Sequence, residues 1–280
     1  MLEIRTMKAK DFRPVLRLTN EEHWGFGVRD LERMLALEPR GCLVAVVDNR
    51  PIGLTTSISY GRRLGWIGNV VVHRKHRGAG IGTALVEAAI QHLERSRVKS
   101  IGLNSYPRNK PTYERLGFKP TSGFVRLSIS RVTHPPRAGT NHVPLALIVR
   151  LDRRLFGADR ARLLKRLLAE FPRTWTWLVS GSDVSAYSIV KQYQDSSEIG
   201  PAVSREMSQQ RVDALLRSSI AQARRLPLEV SVPESSHVAL ETAAQLGFIR
   251  EKAGLVMSLR GLEEVHVGPA VVAFGFLDKG

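Results

Sequence analysis

The 280-residue sequence predicts a mixed α/β fold, of α+β character with a mixed sheet, divided into two domains. Three observations carry this reading. The chain exceeds the roughly 100–200 residues usual for one domain. Hairpin-like alternation in the first 60 residues gives way to strand–helix–strand units after Trp66, the order expected of a mixed sheet covered by helices. Residues 131–145, RVTHPPRAGTNHVPL, hold two adjacent prolines and a glycine without hydrophobic periodicity, which marks a linker. The expected boundaries are 1–131 for the first domain, 132–146 for the linker and 147–280 for the second.

The elements follow from local pattern. Leu2 and Ile4 alternate with polar neighbours, a short strand. Asp11 is placed to cap a helix through Leu18, with Pro14 tolerated in its first turn. Leu31, Met34 and Leu35 give a second helix, stopped by Pro39 and Gly41. Cys42–Val47 and Ile52–Tyr60 flank Asp48-Asn49-Arg50 as a hairpin. Trp66–Val72 is apolar enough for a central strand, and Ile81–Leu93 spaces Leu85, Ala88, Ala89 and His92 as a helix. Ile101–Leu103 is a strand, Pro111–Leu116 a short helix, and a further strand starts near Phe118. Beyond the linker, Leu163, Leu164, Leu167, Leu168 and Phe171 make an amphipathic helix. Val212, Leu215, Leu216 and Ile220 make another, and a third runs from His237 to Leu246, ended by Gly247.

The halves echo one another. Ile67-Gly68 precedes Leu116-Gly117-Phe118 by 49 residues, and Ile199-Gly200 precedes Leu246-Gly247-Phe248 by 47. The elements between them keep the same order, as a degenerate internal duplication would.

Composition narrows the function classes. Apolar residues at 43% and charged residues at 24% exclude disorder, collagen and disulfide-stapled miniproteins. Apolar runs fall short of the roughly 18–20 residues that cross a bilayer, and MLEIRTMKAKDFRP lacks the apolar core of a secretory signal. Cys42 is the sole cysteine, so no internal disulfide or thiolate metal site is expected. The eight histidines include no helical pair with a carboxylate, so no metal is expected. The expectation is a soluble cytoplasmic protein without membrane contact. Its formal charge of +16 is uneven, because residues 1–150 hold 25 basic and 11 acidic side chains. Such a half attracts anions, whether nucleic acid, anionic membrane or a polyphosphate cofactor. Nucleic acid is the weaker fit: aromatics are 6% and no helix-turn-helix, zinc or RNP pattern occurs.

The strongest motif is VVVHRKHRGAGIGTALVEAA, residues 70–89. An apolar strand runs into Gly78, Gly80 and Gly82 and straight into a helix. Glycines there let backbone N–H groups converge on an anion at the helix N-terminus, where the dipole favours negative charge. A Walker loop is a poor fit, because its lysine is missing after Gly82. A dinucleotide fingerprint is also poor, since Thr83 stands where its last glycine belongs and no acidic residue follows about 20 positions on. A tight turn without a ligand would explain fewer glycines than the three in five residues found here.

Arg77-Gly78-Ala79-Gly80-Ile81-Gly82 resembles the Gln/Arg-x-x-Gly-x-Gly/Ala acyl-CoA loop of the GNAT acetyltransferases. Tyr113-Glu114-Arg115-Leu116-Gly117-Phe118 is similar to the Tyr-x-x-x-Gly-Phe of the same family. Further stretches, among them WIGNVVVHRKHRGAGIG, PRNKPTYERLGF, LDRRLFGADRARLL and EIGPA, extend the resemblance over nearly the whole chain. It is to tandem-GNAT proteins of the YitH type, in which a complete N-terminal domain precedes a diverged one. Asn104 and Tyr106 stand where members often have an acidic residue and a threonine.

The resemblance implies an N-acetyltransferase that moves an acetyl group from acetyl-CoA, as co-substrate, to a primary amine on a small molecule or peptide. On that model the strand Val70, Val71 and Val72 offers backbone groups to the acetyl carbonyl and pantetheine. Arg77, Gly78, Ala79, Gly80, Ile81, Gly82 and Thr83 hold the pyrophosphate, and Tyr113 is the general acid. Many relatives place a glutamate base on the central strand; Ile67-Gly68-Asn69 offers none, leaving Glu21, Glu22, His73 and Tyr60 as alternatives. In the second half Gln209, Gln210, Val212 and Ala214 align with Arg77 and the three glycines, and Ala243 with Tyr113, so a degenerate, non-catalytic domain is expected. The alternatives from other classes are a basic nucleic-acid-binding protein and an acyl-CoA sensor without turnover.

Overall fold

The computed structural model describes residues 1–131, 142–261, 268 and 270–275; residues 132–141 of the expected linker lie outside them. The described chain forms two compact units. One holds Met1–Lys119 with the stretch beginning at Met257; the other holds Pro120–Val256 with the described residues after 268.

In the first unit the elements run β1 (Leu2–Thr6), α1 (Phe12–Glu21), α2 (Val28–Leu37), β2 (Cys42–Val47), β3 (Arg50–Tyr60), β4 (Leu64–Val72), α3 (Ile81–Arg95), β5 (Ser100–Ser105) and α4 (Lys110–Glu114). The strands pair in the order β1-β2-β3-β4-β5. All neighbours are antiparallel except β4 and β5, which are parallel and joined by α3, as a parallel pair requires a crossover. Asp48 and Asn49 take left-handed φ of 48° and 62° at the β2–β3 turn, which matches the twist of a two-residue hairpin.

Strand alternation sends side chains to two faces. Met7, Val15, Leu18, Leu31, Met34, Val44, Val46, Leu54 and Val71 form the core under α1 and α2. On the other face glycines make room for α3: a Cβ at Gly53 would meet Leu85 at 2.9 Å, and one at Gly65 would meet Leu93 at 2.8 Å. The N-terminal helix departs from the sequence expectation. Asp11 does not cap it; its carboxylate accepts two hydrogen bonds from Arg5, at 2.7 and 2.8 Å, and one from the Lys8 amide at 2.8 Å. A buried carboxylate takes the charged donor in reach, and Arg5 holds it below its usual pKa.

Glu38, just past α2, ties helix, strand and α3 together. Its carboxylate accepts from the Ser59 amide at 3.3 Å and the Ser59 hydroxyl at 2.9 Å, and His92 Nε2 lies 3.6 Å away. Burial opposes the charge, but His92 and Ser59 outweigh it and bring the carboxyl from 4.5 to about 2. A depressed carboxylate contributes stability above its unfolded pKa and loses it as pH falls towards the folded value. The first unit should therefore weaken between about pH 4.5 and 2. Glu38→Gln should lower stability at neutral pH by about 1–3 kcal/mol and flatten that acid limb in thermal melts.

The second unit begins with β6 (Lys119–Ile129) and continues with α5 (Leu145–Phe156), α6 (Ala161–Glu170), β7 (Trp175–Ser180), β8 (Asp183–Gln192), β9 (Ser197–Ser204), α7 (Gln209–Ile220), β10 (Leu228–Pro233), α8 (His237–Gln245), β11 (Ile249–Leu259) and β12 (Val271–Ala273). Its strand order is β7-β8-β9-β10-β6-β11, with β12 on β9. β6 runs antiparallel to β10, from Leu228↔Ile129 to Pro233↔Phe124, and β10 is parallel to β9. Val125, Leu127, Val212, Leu215, Leu216, Val230 and Ala243 share one core. Against α5 and α6, Asp152 accepts from Tyr187 Oη at 2.6 Å and from Arg160 at 2.6 and 3.1 Å, all fully buried.

Candidate active site

The site of the first unit is assembled where β4 leaves its neighbours. On the β3 side Thr56 pairs with Gly68 and Leu54 with Val71, so Asn69 and Val70 together oppose Thr55. This is a β-bulge, a device that redirects backbone groups. Asn69 sits in it at φ 55°, a left-handed conformation that asparagine tolerates better than most residues. Its side chain is buried and donates to Thr56 Oγ1 at 2.9 Å and to Met34 Sδ at 3.6 Å, while Thr55 Oγ1 donates to the Gly68 carbonyl at 3.1 Å. On the β5 side, parallel pairing ends at Ile67↔Leu103. The last residues of β4, Gly68–Val72, thus have no pairing partner on β5.

Past the bulge, Val71 is buried under α1 and α2, and Val70 and Val72 are half-buried. A single turn, Arg74–His76, leads to the glycines. Gly78 and Gly80 take φ of 82° and 76°, backbone that only glycine adopts freely, and nothing lies within 4 Å of a Cβ built on either. Gly80 is the N-cap of α3, and no side chain caps that helix. The first-turn amides at Ile81, Gly82 and Thr83 have no intrahelical acceptor and form the positive end of the helix dipole. Ala79 lies between the two left-handed glycines. The result is a run of backbone amides at a helix N-terminus, with open space beside Gly78 and Gly80: the arrangement that accepts a phosphate.

Arg77 is exposed, yet its guanidinium braces protein. Nε donates to the Val72 carbonyl at 2.9 Å, and the side chain pairs with Glu22 at 2.5 Å. Arg74 lies 3.8 Å from Glu22. The hydrogen bond from Arg77 holds Glu22 below the usual carboxylate range, with Arg74 and Arg108 adding. Glu22 is therefore a poor base. Of the other expected alternatives, Glu21 is exposed, Tyr60 is buried, and His73 Nδ1 accepts from the Lys75 amide at 3.3 Å. Asn69 holds the bulge where a carboxylate could have stood. Sequence reading missed both the bulge and the Glu22 brace; Asn after Ile-Gly in an apolar strand is the one local signal of the former.

Tyr113 lies on α4, 8% exposed, with its ring edge-on to Phe118 at 6.2 Å. Its carbonyl accepts from the amides of Leu116 at 3.0 Å and Phe118 at 3.1 Å across Gly117, φ 86°. Burial pushes the phenol up to about 12. Its hydroxyl makes no hydrogen bond among the described residues.

The second unit repeats the frame without these groups. Val190 pairs with Ile199 and Ser188 with Ala202, leaving Gly200-Pro201 as a bulge opposite Ile189. The bulge puts Gly200 at the place of Asn69, one residue away from the alignment suggested by Ile-Gly. Pro201 then matches Val70 and carries no amide N–H. From bulge to helix the first unit spans eleven positions, Val70 to Ile81, and the second eight, Pro201 to Gln209. Gln209, Gln210, Val212 and Ala214 all lie within α7. Ala243 receives the Phe248 amide at 3.0 Å before Gly247 at φ 89°, the same helix end as at Tyr113 but without a phenol.

A mixed sheet whose parallel pair ends at Ile67↔Leu103, followed by glycines at an uncapped helix N-terminus, defines an anion-binding α/β domain. The Acetyltransferase (GNAT) family model matches residues 8–118, and an Acetyltransferase (GNAT) domain model matches residues 148–265. The chain belongs to the GNAT superfamily, as an acyltransferase with two GNAT domains in tandem. It is 25% identical over 235 residues to the holothin acyltransferase of Pseudoalteromonas sp. (strain SANK 73390), covering 81% of this chain and 74% of that protein. Its fold matches a proposed acetyltransferase of Pyrococcus horikoshii with a TM-score of 0.83 at 21% identity, over 100% of this chain and 96% of that one. A tandem GNAT protein from the clavulanic acid biosynthesis pathway matches at a TM-score of 0.63 and 14% identity, over 96% and 99%. Among the described residues no helix is long and apolar enough to cross a membrane, and no three His, Cys, Asp or Glu side chains are grouped to hold a metal.

Asn69 should act as a positioning residue. Asn69→Gly keeps the left-handed bulge and should leave kcat/KM within about threefold of wild type. Asn69→Val forces a β-branched residue into φ 55°, at about 1–3 kcal/mol. It should lower Tm and cut kcat/KM by about tenfold or more, read by thiol release beside thermal melts.

Proposed function

We propose that the chain is an acetyl-CoA-dependent N-acetyltransferase whose first GNAT domain carries the reaction and whose second is non-catalytic. The observation that carries the reading is the conjunction, within one unit, of the β4 bulge and the uncapped glycine cradle of Gly78–Thr83. Acetyl-CoA would supply the acyl group already activated as a thioester. The residues present fit it. The cradle offers backbone donors and left-handed glycines with open space around them, and Arg74, Lys75 and Arg108 add positive charge nearby. The backbone edge of Val70–Val72 can pair with an amide-bearing arm as a further strand would.

An amide N–H at the bulge is positioned to stabilise the charge that develops on the acyl oxygen. Such a donor is worth about two to three orders of magnitude in rate. Tyr113 donates a hydrogen bond and then a proton to the departing sulfur. With its pKa near 12 it stays protonated until the C–S bond breaks, and the phenolate it leaves takes up the proton that the amine nitrogen loses on forming the amide. Without a carboxylate at Asn69, the primary amine enters as the neutral base. The rate should then rise with pH as the acceptor deprotonates, without a loss from Tyr113 until well above pH 10. Release of CoA thiol from acetyl-CoA in the presence of a panel of amines, at several pH values, tests this reading; a rate independent of amine would contradict it.

A further inference from the structure

We propose that β12 occupies, as an internal ligand, the groove of the second unit that corresponds to the acetyl-CoA groove of the first. This rests on reading the β4 edge as that groove.

In the second unit β9 and β10 pair only from Leu228↔Ser197 to Val230↔Ile199 and then diverge, as β4 and β5 do after Ile67↔Leu103. Here the gap is filled. β12 lies antiparallel on β9, with Val271 opposite Val203 and Ala273 opposite Ala202. The Ser204 amide donates to the Ala270 carbonyl at 2.9 Å, and on the far side the Phe274 amide donates to the Ser231 carbonyl of β10, also at 2.9 Å. The segment therefore bonds both walls. Val271, Val272, Ala273 and Phe274 are all 1% exposed or less.

Several residues make sense only with the segment in place. Gly200 has φ 137°, and a Cβ there would stand 1.9 Å from the Phe274 carbonyl oxygen, so glycine admits the close approach. Ser236 Oγ donates to the Val271 carbonyl at 2.5 Å. Phe274 stacks edge-on against Phe124 at 6.0 Å. Lys191 is fully buried; its ammonium binds Glu198 at 2.8 Å and also the Gly275 carbonyl. A buried lysine with both partners satisfied is a clamp. The groove that would take a pantetheine arm takes a peptide of this chain instead. The missing Pro201 amide and the shortened cradle then follow as features no ligand selects.

The test is hydrogen–deuterium exchange by mass spectrometry on the full chain, with and without acetyl-CoA. Peptides covering 200–204 and 270–275 should be strongly protected and unchanged by acetyl-CoA. Gly200→Ala should raise exchange in 270–275 by about tenfold or more, and Lys191→Met should do so to a smaller degree. Rapid exchange of 270–275 in the wild-type chain, or its release on adding acetyl-CoA, would overturn the proposal. Failure of acetyl-CoA to protect 69–83 would overturn the reading of the first unit instead, and leaves the 270–275 result to stand by itself.

Discussion

Tyr113→Phe is expected to lower kcat by about two to four orders of magnitude, the range that a positioned acid contributes, while the acetyl-CoA Kd stays unchanged. The substitution deletes one oxygen from a side chain that is 8% exposed and leaves the ring against Phe118. The fold should therefore be undisturbed, and Tm should hold or rise slightly, because the lost hydroxyl has no partner among the described residues. Stopped assays of thiol release beside calorimetric binding separate the two effects. A sensor that binds acyl-CoA without turnover would show no difference between Tyr113 and phenylalanine in any measured response. A kcat within a few-fold of wild type in a turning-over enzyme would remove Tyr113 from the acid role.

Gly80→Glu is expected to abolish acetyl-CoA binding in a chain that still folds. Nothing lies within 4 Å of a Cβ at Gly80, so the added side chain meets no wall. The cost to the fold is the left-handed φ of 76°, about 1–2 kcal/mol for a non-glycine residue, partly offset by a carboxylate at a helix N-terminus. The same carboxylate is a like charge in a phosphate cradle. At about 4 Å and an effective dielectric of 20 the repulsion is about 4 kcal/mol, about a thousandfold in affinity. Gly80→Ala carries the strain without the charge and should weaken binding far less. Equal losses in the two variants would mean that backbone conformation, and not anion recognition, governs the site.

Much of this was legible in the sequence for physical reasons. The helices and the hairpin are visible because burial imposes one period on each: Leu31 and Met34 on a helix, Cys42–Val47 against Ile52–Tyr60 on two strands. The glycine cradle is visible because positive φ and an open approach restrict composition to Gly78 and Gly80. The duplication shows through Gly117 and Gly247, which end two helices by the same left-handed turn. What stayed hidden depends on pairing at long range. The Asn69 bulge exists only in register with Thr55, and Asp11 is drawn from its helix by Arg5. β12 is three residues long; its sequence, Val-Val-Ala, fits any buried strand, and only the divergence of β9 from β10 gives it a place. The brace between Arg77 and Glu22 joins residues 55 apart, beyond any local pattern.

The central claim is that one GNAT domain of the two works. Isothermal titration of the full-length protein with acetyl-CoA tests it most directly, because stoichiometry is read alongside affinity. One site per chain is expected, absent in Gly80→Glu. Two sites, or a single site that survives Gly80→Glu, would contradict it.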